Sequence, residues 1–500
     1  MEPGRETSRT MTEIDPFSSA TDMLAALRDG TISAVELLDK HLQRIERFNE
    51  RLNALVTFNE EDARAAARMA DEARSRGGES PLLGLPVTVK DTIFVRGLPA
   101  TGGLQDREAA VQVDDARVVS HLRAAGAVLL GKTNVPPYAS DWQSDNPVFG
   151  RSNNPWNLDY TPGGSTGGGA AAVAAGLSPL ELGADFCGSI RIPAAFCGVY
   201  GHKPSASAVA GTGHFPGGLL PNVATTSIAV LGPLARHPDD LELALDAIAG
   251  PEVGEDRAWR LSLPEARAKR LADFRVAVLP PIPWQPVDDD IIANLEELMV
   301  RLAAAGVTVT EAQPDTFGDL RDLVHAYVAI ISAISSLRLT PDERHWQAER
   351  CRALGDELLD AWADGLELSG QNYIELFDKR EQYRAALRSF FDDWDVLVAP
   401  ANIVNAFRHM DSPFPDRLMD EDCRLDVNGE RVVYDRQNVY PSLASFTGHP
   451  ATAFPVGLGK SGLPVGLQAI GPYLEDRTSI AFVRAVAREI GGYAPPPGYE

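Results

Sequence analysis

Two serines stand where small residues crowd the backbone. Ser165 lies in PGGSTGGGAAAVAAG (162–176) and Ser189 in GADFCGSIRIP (183–193). Glycine loses much backbone entropy on folding, so a run this rich in it marks a chain that turns sharply or approaches another group closely. A serine hydroxyl is a weak nucleophile until a base takes its proton. Histidine is the usual base, and none lies within ten residues of either serine. Lysine can take that role when burial keeps its amine uncharged, because desolvation lowers an ammonium pKa; arginine cannot lose its proton in a protein. Only seven lysines occur, and three, Lys90, Lys132 and Lys203, qualify as the base. Spacing does not choose among them.

Other chemistries for the glycine run fail on composition. A phosphate-binding loop needs G-x-x-x-x-G-K-[ST], and no lysine occurs in 162–176. Short-chain reductases need Tyr-x-x-x-Lys and penicillin-recognising enzymes Ser-x-x-Lys; no lysine here has either partner. GGSTG (163–167) fits the G-x-S-x-G nucleophile elbow, but that motif needs a strand before it and NPWNLDYTP is a poor one. A bland alternative is a tight turn into an alanine-rich helix capped by Ser165 or Thr166. Around Ser189, Asp185 and Arg191 are spaced to pair across the turn and hold it.

The elements that must position these residues read as strand–helix–strand. GLPVTVKD predicts a short strand with Val87 and Val89 on one side, Thr88 and Lys90 on the other. VVSHLRAAGAVLLGKTN predicts a helix stopped at Gly126 and a strand at 127–130. FRVAVLP predicts another strand; Ile291, Leu295, Leu298 and Leu302 line a helix ended by Gly306, and VTVT follows as a strand. Near the N-terminus, Ser33 and Glu36 form a capping box ahead of a helix with Val35, Leu38, Leu42 and Ile45 on its apolar face. Such units predict an α/β fold: a large mixed, mostly parallel twisted sheet with helices on both faces. We expect a flexible N-terminus over 1–15 and one domain over 16–500, with irregular insertions near 251–268 and 402–435.

A formal net charge of −24 argues against nucleic acid as a partner, since that needs a basic footprint. Four cysteines without C-x-x-C or Cys/His spacing predict neither a disulfide framework nor a metal site, and point to a reducing, cytoplasmic setting. No apolar run reaches the ~18–20 residues of a membrane span, and the N-terminus lacks the apolar core of a secretory signal. A homodimer is compatible with all of this.

Taken together, the segments resemble the amidase signature family. GLPVTVKDTIFVRGLPATGG is similar to its lysine segment and GKTNVPPYASDWQSDNPVFGRSNNPWNLDYTPGGSTGG to the approach to its first serine. LELGADFCGSIRIPAAFCGVYGHKPS resembles the segment with its nucleophile, and SFTGHPATAFPVGLGKSGLPVGLQAIGPYLEDRTSIAF its closing strands and helix. The resemblance implies a Ser-Ser-Lys amidohydrolase without metal or cofactor. Ser189 is then the nucleophile, Ser165 the bridging serine, reached through a cis Gly164–Ser165 peptide, and Lys90 the base. It also implies that the N–H groups of Phe186, Cys187, Gly188 and Ser189 face the oxyanion of an acyl-transfer intermediate. Asp185 and Arg191 support that turn, and Thr166 either bonds Ser165 or caps a helix. Tyr138, Trp142 and Gln143 approach the acyl side of a small amide, ester or carbamate substrate. Cys187 departs from the family, which usually has glycine there; its Cβ requires φ below zero or strain, and we read its side chain as a small apolar wall. Two other functions compete. The amidase component of the tRNA-dependent amidotransferase usually shows MDEFAMGS and TYGRVSRYG where this chain has VPPYASDW (135–142) and SASAVAGTG (205–213). A catalytically dead binding protein fits poorly with three occupied catalytic positions.

Overall fold

The structure, a computed structural model, describes residues 14–215, 228–413 and 416–500. Most of the N-terminal arm expected over 1–15 lies outside the described residues. The chain builds an 11-stranded mixed sheet. In chain order its strands are β1 (Leu55–Phe58), β2 (Pro86–Lys90), β3 (Val128–Thr133), β4 (Leu180–Asp185), β5 (Tyr200–Lys203), β6 (Val230–Ala235), β7 (Arg275–Val278), β8 (Thr308–Glu311), β9 (Val396–Pro400), β10 (Ala451–Leu458) and β11 (Pro464–Ile470). Across the sheet they run β1-β3-β2-β4-β6-β5-β10-β11-β9-β7-β8. Parallel pairing occupies two flanks, β3-β2-β4 and β9-β7-β8. The middle runs antiparallel, where β10 and β11 form a hairpin over the short turn at 459–463. A tight hairpin turn forces its two strands to run in opposite directions.

Helices cover both faces, and strand alternation shows it. Val276, Val278, Val396 and Val398 belong to one apolar core, with helices Ala34–Leu52, Pro238–Ile248, Asp289–Ala304 and Asp476–Glu489. Ala277, Leu397 and Ala399 belong to a second core, with helices Arg321–Ser335, Glu357–Leu366 and Val439–Thr447. Local rules explain individual elements. Ser33 Oγ accepts from Glu36 N at 3.1 Å, and Glu36 Oε2 accepts from Ser33 N at 2.8 Å, opening the helix Ala34–Leu52. That helix buries Leu37, Leu38, His41, Ile45, Phe48 and Leu52, so its inward face is rotated from the predicted one; Val35 and Leu42 are only partly covered. Helix Asp289–Ala304 buries the four predicted residues. The segment 402–435 carries a small hairpin, Leu425–Val427 against Glu430–Val432. Among the described residues no helix is long and apolar enough to cross a membrane.

Candidate active site

β2 and β4 are adjacent and parallel, with Thr88 opposite Glu181, so their carboxyl ends lie side by side. Ligands of α/β sheets bind outside such ends. Lys90 closes β2, and the turn 186–190 leaves β4 at Asp185 and enters the helix Arg191–Cys197. The glycine loop brings Ser165 to the same place, and its Gly164–Ser165 peptide is cis. A Cβ at Gly164 would stand 2.3 Å from the Asp141 carbonyl oxygen, so only glycine fits where this loop crosses 141–143.

Lys90 is 1% exposed, and its Nζ lies 2.7 Å from Ser165 Oγ, 3.0 Å from Thr166 Oγ1 and 3.3 Å from Ala184 O. Burial pulls the amine down to about 7, against the opposing pull of Asp185 and Glu181. An uncharged amine can donate to Thr166 and Ala184 while its lone pair accepts the Ser165 proton. Burial also lowers Lys132, to about 8, and Lys203, to about 7. Their contacts differ: Lys132 donates to the carbonyls of Asp91, Ile93 and Pro99, and Lys203 to those of Pro204 and His449. Geometry, not acidity, separates the three lysines.

Ser165 and Ser189 line one cavity of about 370 Å³ with Lys90. Among the described residues no hydrogen bond joins the two hydroxyls; Thr166 N donates to Ser189 O at 3.1 Å and ties the two strands of the site together. Thr166 neither bonds Ser165 nor caps the following helix with its side chain, because its Oγ1 is held between Lys90 Nζ and Ala184 O.

Asp185 organises the turn that carries Ser189. Its carboxylate takes a two-point contact from Arg191, Nε to Oδ2 and Nη2 to Oδ1, both at 3.0 Å. It also accepts from Gly188 N at 3.0 Å and Ile190 N at 3.1 Å. Burial would raise this carboxyl, but the Arg191 guanidinium holds it below its ordinary value. Of the four N–H groups expected to face an oxyanion, that of Gly188 is therefore directed to Asp185. Those of Phe186, Cys187 and Ser189 donate to no other group among the described residues. The turn's carbonyls are pinned away: Tyr327 Oη donates to Phe186 O and Trp142 Nε1 to Cys187 O, both at 3.0 Å. Gly188 sits at φ +84°, while Cys187 is not among the residues with positive φ, so its Cβ causes no backbone strain. Burial pushes the Cys187 thiol up, away from thiolate.

The three pocket candidates part company. Tyr138 lines the cavity; Trp142 lines it and pins the turn. Gln143 is not among the cavity-lining residues: it is buried against the segment 402–435, accepting from Met410 N at 3.0 Å and donating to Met410 O at 3.4 Å. Several residues that matter carried no signal in the sequence pattern. Ser144 Oγ donates to Gly163 O and accepts from Gly167 N, both at 3.1 Å, clamping the glycine loop. Asp141 is held by Arg417 and by Tyr434 Oη at 2.7 Å. Arg191 reaches Gln468 Oε1 at 2.7 Å and Ser445 Oγ at 2.8 Å. Ile331, Trp362 and Leu366 give the cavity an apolar wall. Of these, Arg191 was expected beside Asp185, while Asp141 lies between the pocket candidates Tyr138 and Trp142 and Ser144 directly after Gln143.

Known proteins resemble the chain in sequence and in overall fold. The family model described as Amidase matches residues 36–480. The chain belongs to the amidase signature family. It is 32% identical over 498 residues to a glutamyl-tRNA(Gln) amidotransferase component, the A-subunit, of Thermus thermophilus, covering 94% of this chain and 97% of that protein. It is also 32% identical over 468 residues to an indoleacetamide hydrolase of Bradyrhizobium diazoefficiens, covering 92% and 84%. Among solved structures, a bacterial aryl acylamidase of the amidase signature family superposes with TM-score 0.79 at 26% identity, covering 96% of this chain and 99% of that one. The amidase signature fold therefore carries both hydrolases and amidotransferase components among this chain's relatives.

Proposed function

We propose that the chain is a stand-alone serine amidohydrolase that cleaves small linear amides through an acyl-enzyme, and accepts esters or carbamates of similar shape. One observation carries the reading: a buried lysine amine, lowered by desolvation to about 7, hydrogen-bonded to Ser165 at the wall of a cavity that also holds Ser189. In this mechanism neutral Lys90 takes the Ser165 proton, and Ser165 takes that of Ser189, whose Oγ bonds to the carbonyl carbon. The oxyanion faces the unengaged N–H groups of Phe186, Cys187 and Ser189. The relay then returns its proton to the nitrogen as the C–N bond breaks, and the amine leaves. Water adds to the acyl-enzyme along the same path, giving the carboxylic acid and restoring Ser189. The apolar wall of Ile331, Trp362 and Leu366 supports an alkyl or aryl acyl group. Four unpaired cysteines fit a reducing, cytoplasmic compartment. The test is a panel of p-nitroanilide, anilide and carbamate substrates with the purified chain: turnover that vanishes in Ser189→Ala supports the reading, and turnover surviving that change contradicts it.

The names of the Thermus relative and others favour a second reading, the amidase component of a tRNA-dependent amidotransferase. Ammonia released from glutamine only when the other components of such a complex are added would establish it in place of the first.

A further inference from the structure

The cavity wall holds a carboxyl with no cationic partner among the described residues. Three aspartates line the cavity: Asp141, Asp185 and Asp435. Arg417 neutralises the first and Arg191 the second. Asp435 has no ion pair among the described residues, because its neighbour Arg436 turns to Asp356 at 2.9 Å and Glu357 at 3.7 Å. Asp435 is 1% exposed, and its Oδ2 has no hydrogen-bond partner among the described residues. Its Oδ1 accepts from Asn438 Nδ2 at 2.9 Å; Asn438 is also 1% exposed, lines the same cavity, and its Oδ1 has no partner among the described residues. Two buried acceptors three residues apart are thus unmatched in one pocket wall, beside Trp362 and Leu366. A buried polar atom without a partner costs ~1–3 kcal/mol, and a charged one more. Two acceptors that meet no donor among the described residues suit a donor that arrives with the ligand. Burial pushes the unpaired Asp435 carboxyl up to about 7, and a cation beside it favours the carboxylate form, so the group that matches is one with positive charge and several N–H bonds.

We propose that Asp435 and Asn438 form a subsite for a primary ammonium group carried by the substrate, so that the preferred amides are cationic. This deepens the amidase reading and rests on it for the word substrate, while the subsite itself is a statement about binding. The remaining wall, Ile331, Trp362 and Leu366, would pack the apolar stem that joins the ammonium to the reacting carbonyl.

Two measurements on the full chain test it separately from the chemistry. Calorimetric titration with n-butylammonium and with 1-butanol compares a cation with a neutral donor of equal length; one charge-assisted hydrogen bond corresponds to about tenfold or more in affinity. The wild-type chain should bind the ammonium at least that much more tightly, and Asp435→Asn should bring the two within a few-fold. Equal binding by the wild type overturns the subsite, whether or not any variant folds. Matched p-nitroanilides whose acyl chains end in ammonium or methyl then read kcat/KM. A wild-type preference for the ammonium substrate that Asp435→Asn erases supports the proposal. Efficient hydrolysis of the methyl substrate with no such preference overturns the subsite and leaves the amidase reading intact. Tight ammonium binding with neither substrate hydrolysed supports the subsite and contradicts the amidase reading.

Discussion

At the residue scale, the decisive property of Lys90 is that burial makes its neutral form accessible near neutral pH. A base must be unprotonated to act, so kcat/KM should rise with pH through an inflection near 7 and level off above it; a profile flat from pH 5.5 to 8.5 would contradict this assignment. Lys132 and Lys203 carry similar shifts but donate to carbonyl oxygens, and Lys132 also lies 3.9 Å from the Asp91 carboxylate, so their replacement should lower stability before it touches the pH profile. Gly188 is a second sensitive point. At φ +84°, an added Cβ would stand 2.8 Å from Pro441 Cγ. Gly188→Ala should cost ~1–3 kcal/mol in strain, read as a lowered Tm, and should lower kcat by tilting the turn. An unchanged Tm and kcat would show that the turn does not need this conformation. The lysine choice marks the limit of legibility at this scale. Which of three buried amines meets a hydroxyl depends on strands far apart in sequence, and no local spacing encodes it.

At the element scale, the site is a junction of two parallel strand ends and the turn that leaves one of them. Arg191 ties that turn to Asp185, Gln468, Ser445 and the Pro441 carbonyl, so three separate segments, the end of β4, β11 and the helix Val439–Thr447, converge on one guanidinium. Arg191→Met leaves Asp185 buried and unpaired, a change that costs ~3–5 kcal/mol; chemical denaturation should register that loss, and a midpoint within error of wild type would contradict it. Trp142 acts more gently, through one hydrogen bond to Cys187 O. Trp142→Phe keeps the apolar wall and removes ~0.5–1.5 kcal/mol of hydrogen bonding. It should therefore lower kcat more than it raises KM, and a change confined to KM would make Trp142 a plain wall residue. Elements with strong periodicity were legible: the helix Asp289–Ala304 buries the predicted face. The helix Ala34–Leu52 was legible in its capping box but not in its face, because His41 takes a buried position that an apolar pattern skips. Thr166 takes the expected N-cap position, but its hydroxyl goes to Lys90 and Ala184 instead of the helix or Ser165, since that choice depends on β4 passing beside the loop.

At the scale of the whole molecule, the sheet separates two apolar cores, and the reaction site opens toward the second. The proposed nucleophile, bridge and base come from the first two hundred residues, whereas the cavity wall joins 137–142 to residues from 331–366 and 435–438. That division explains what sequence could supply. The chemistry rests on compact motifs near Lys90, Ser165 and Ser189, each legible in its own segment. The wall is assembled from helices and a segment whose residues have ordinary composition and meet only in the folded chain. The insertion expected near 402–435 belongs to this second half: Arg417 holds Asp141, and Met410 engages Gln143. The α/β class and the mixed sheet were legible from strand–helix–strand alternation, while the antiparallel middle was not, because it depends on which strands become neighbours.

The central claim is that an uncharged Lys90, acting through Ser165, makes Ser189 a nucleophile. Its most direct test is the rate at which a fluorophosphonate labels Ser189, followed across pH in the wild type and in Lys90→Ala. The wild-type rate should rise through an inflection near 7, and loss of the base should slow labelling by ~10²–10⁴-fold. Labelling of Ser189 at the wild-type rate in Lys90→Ala, or labelling of another residue, would contradict it.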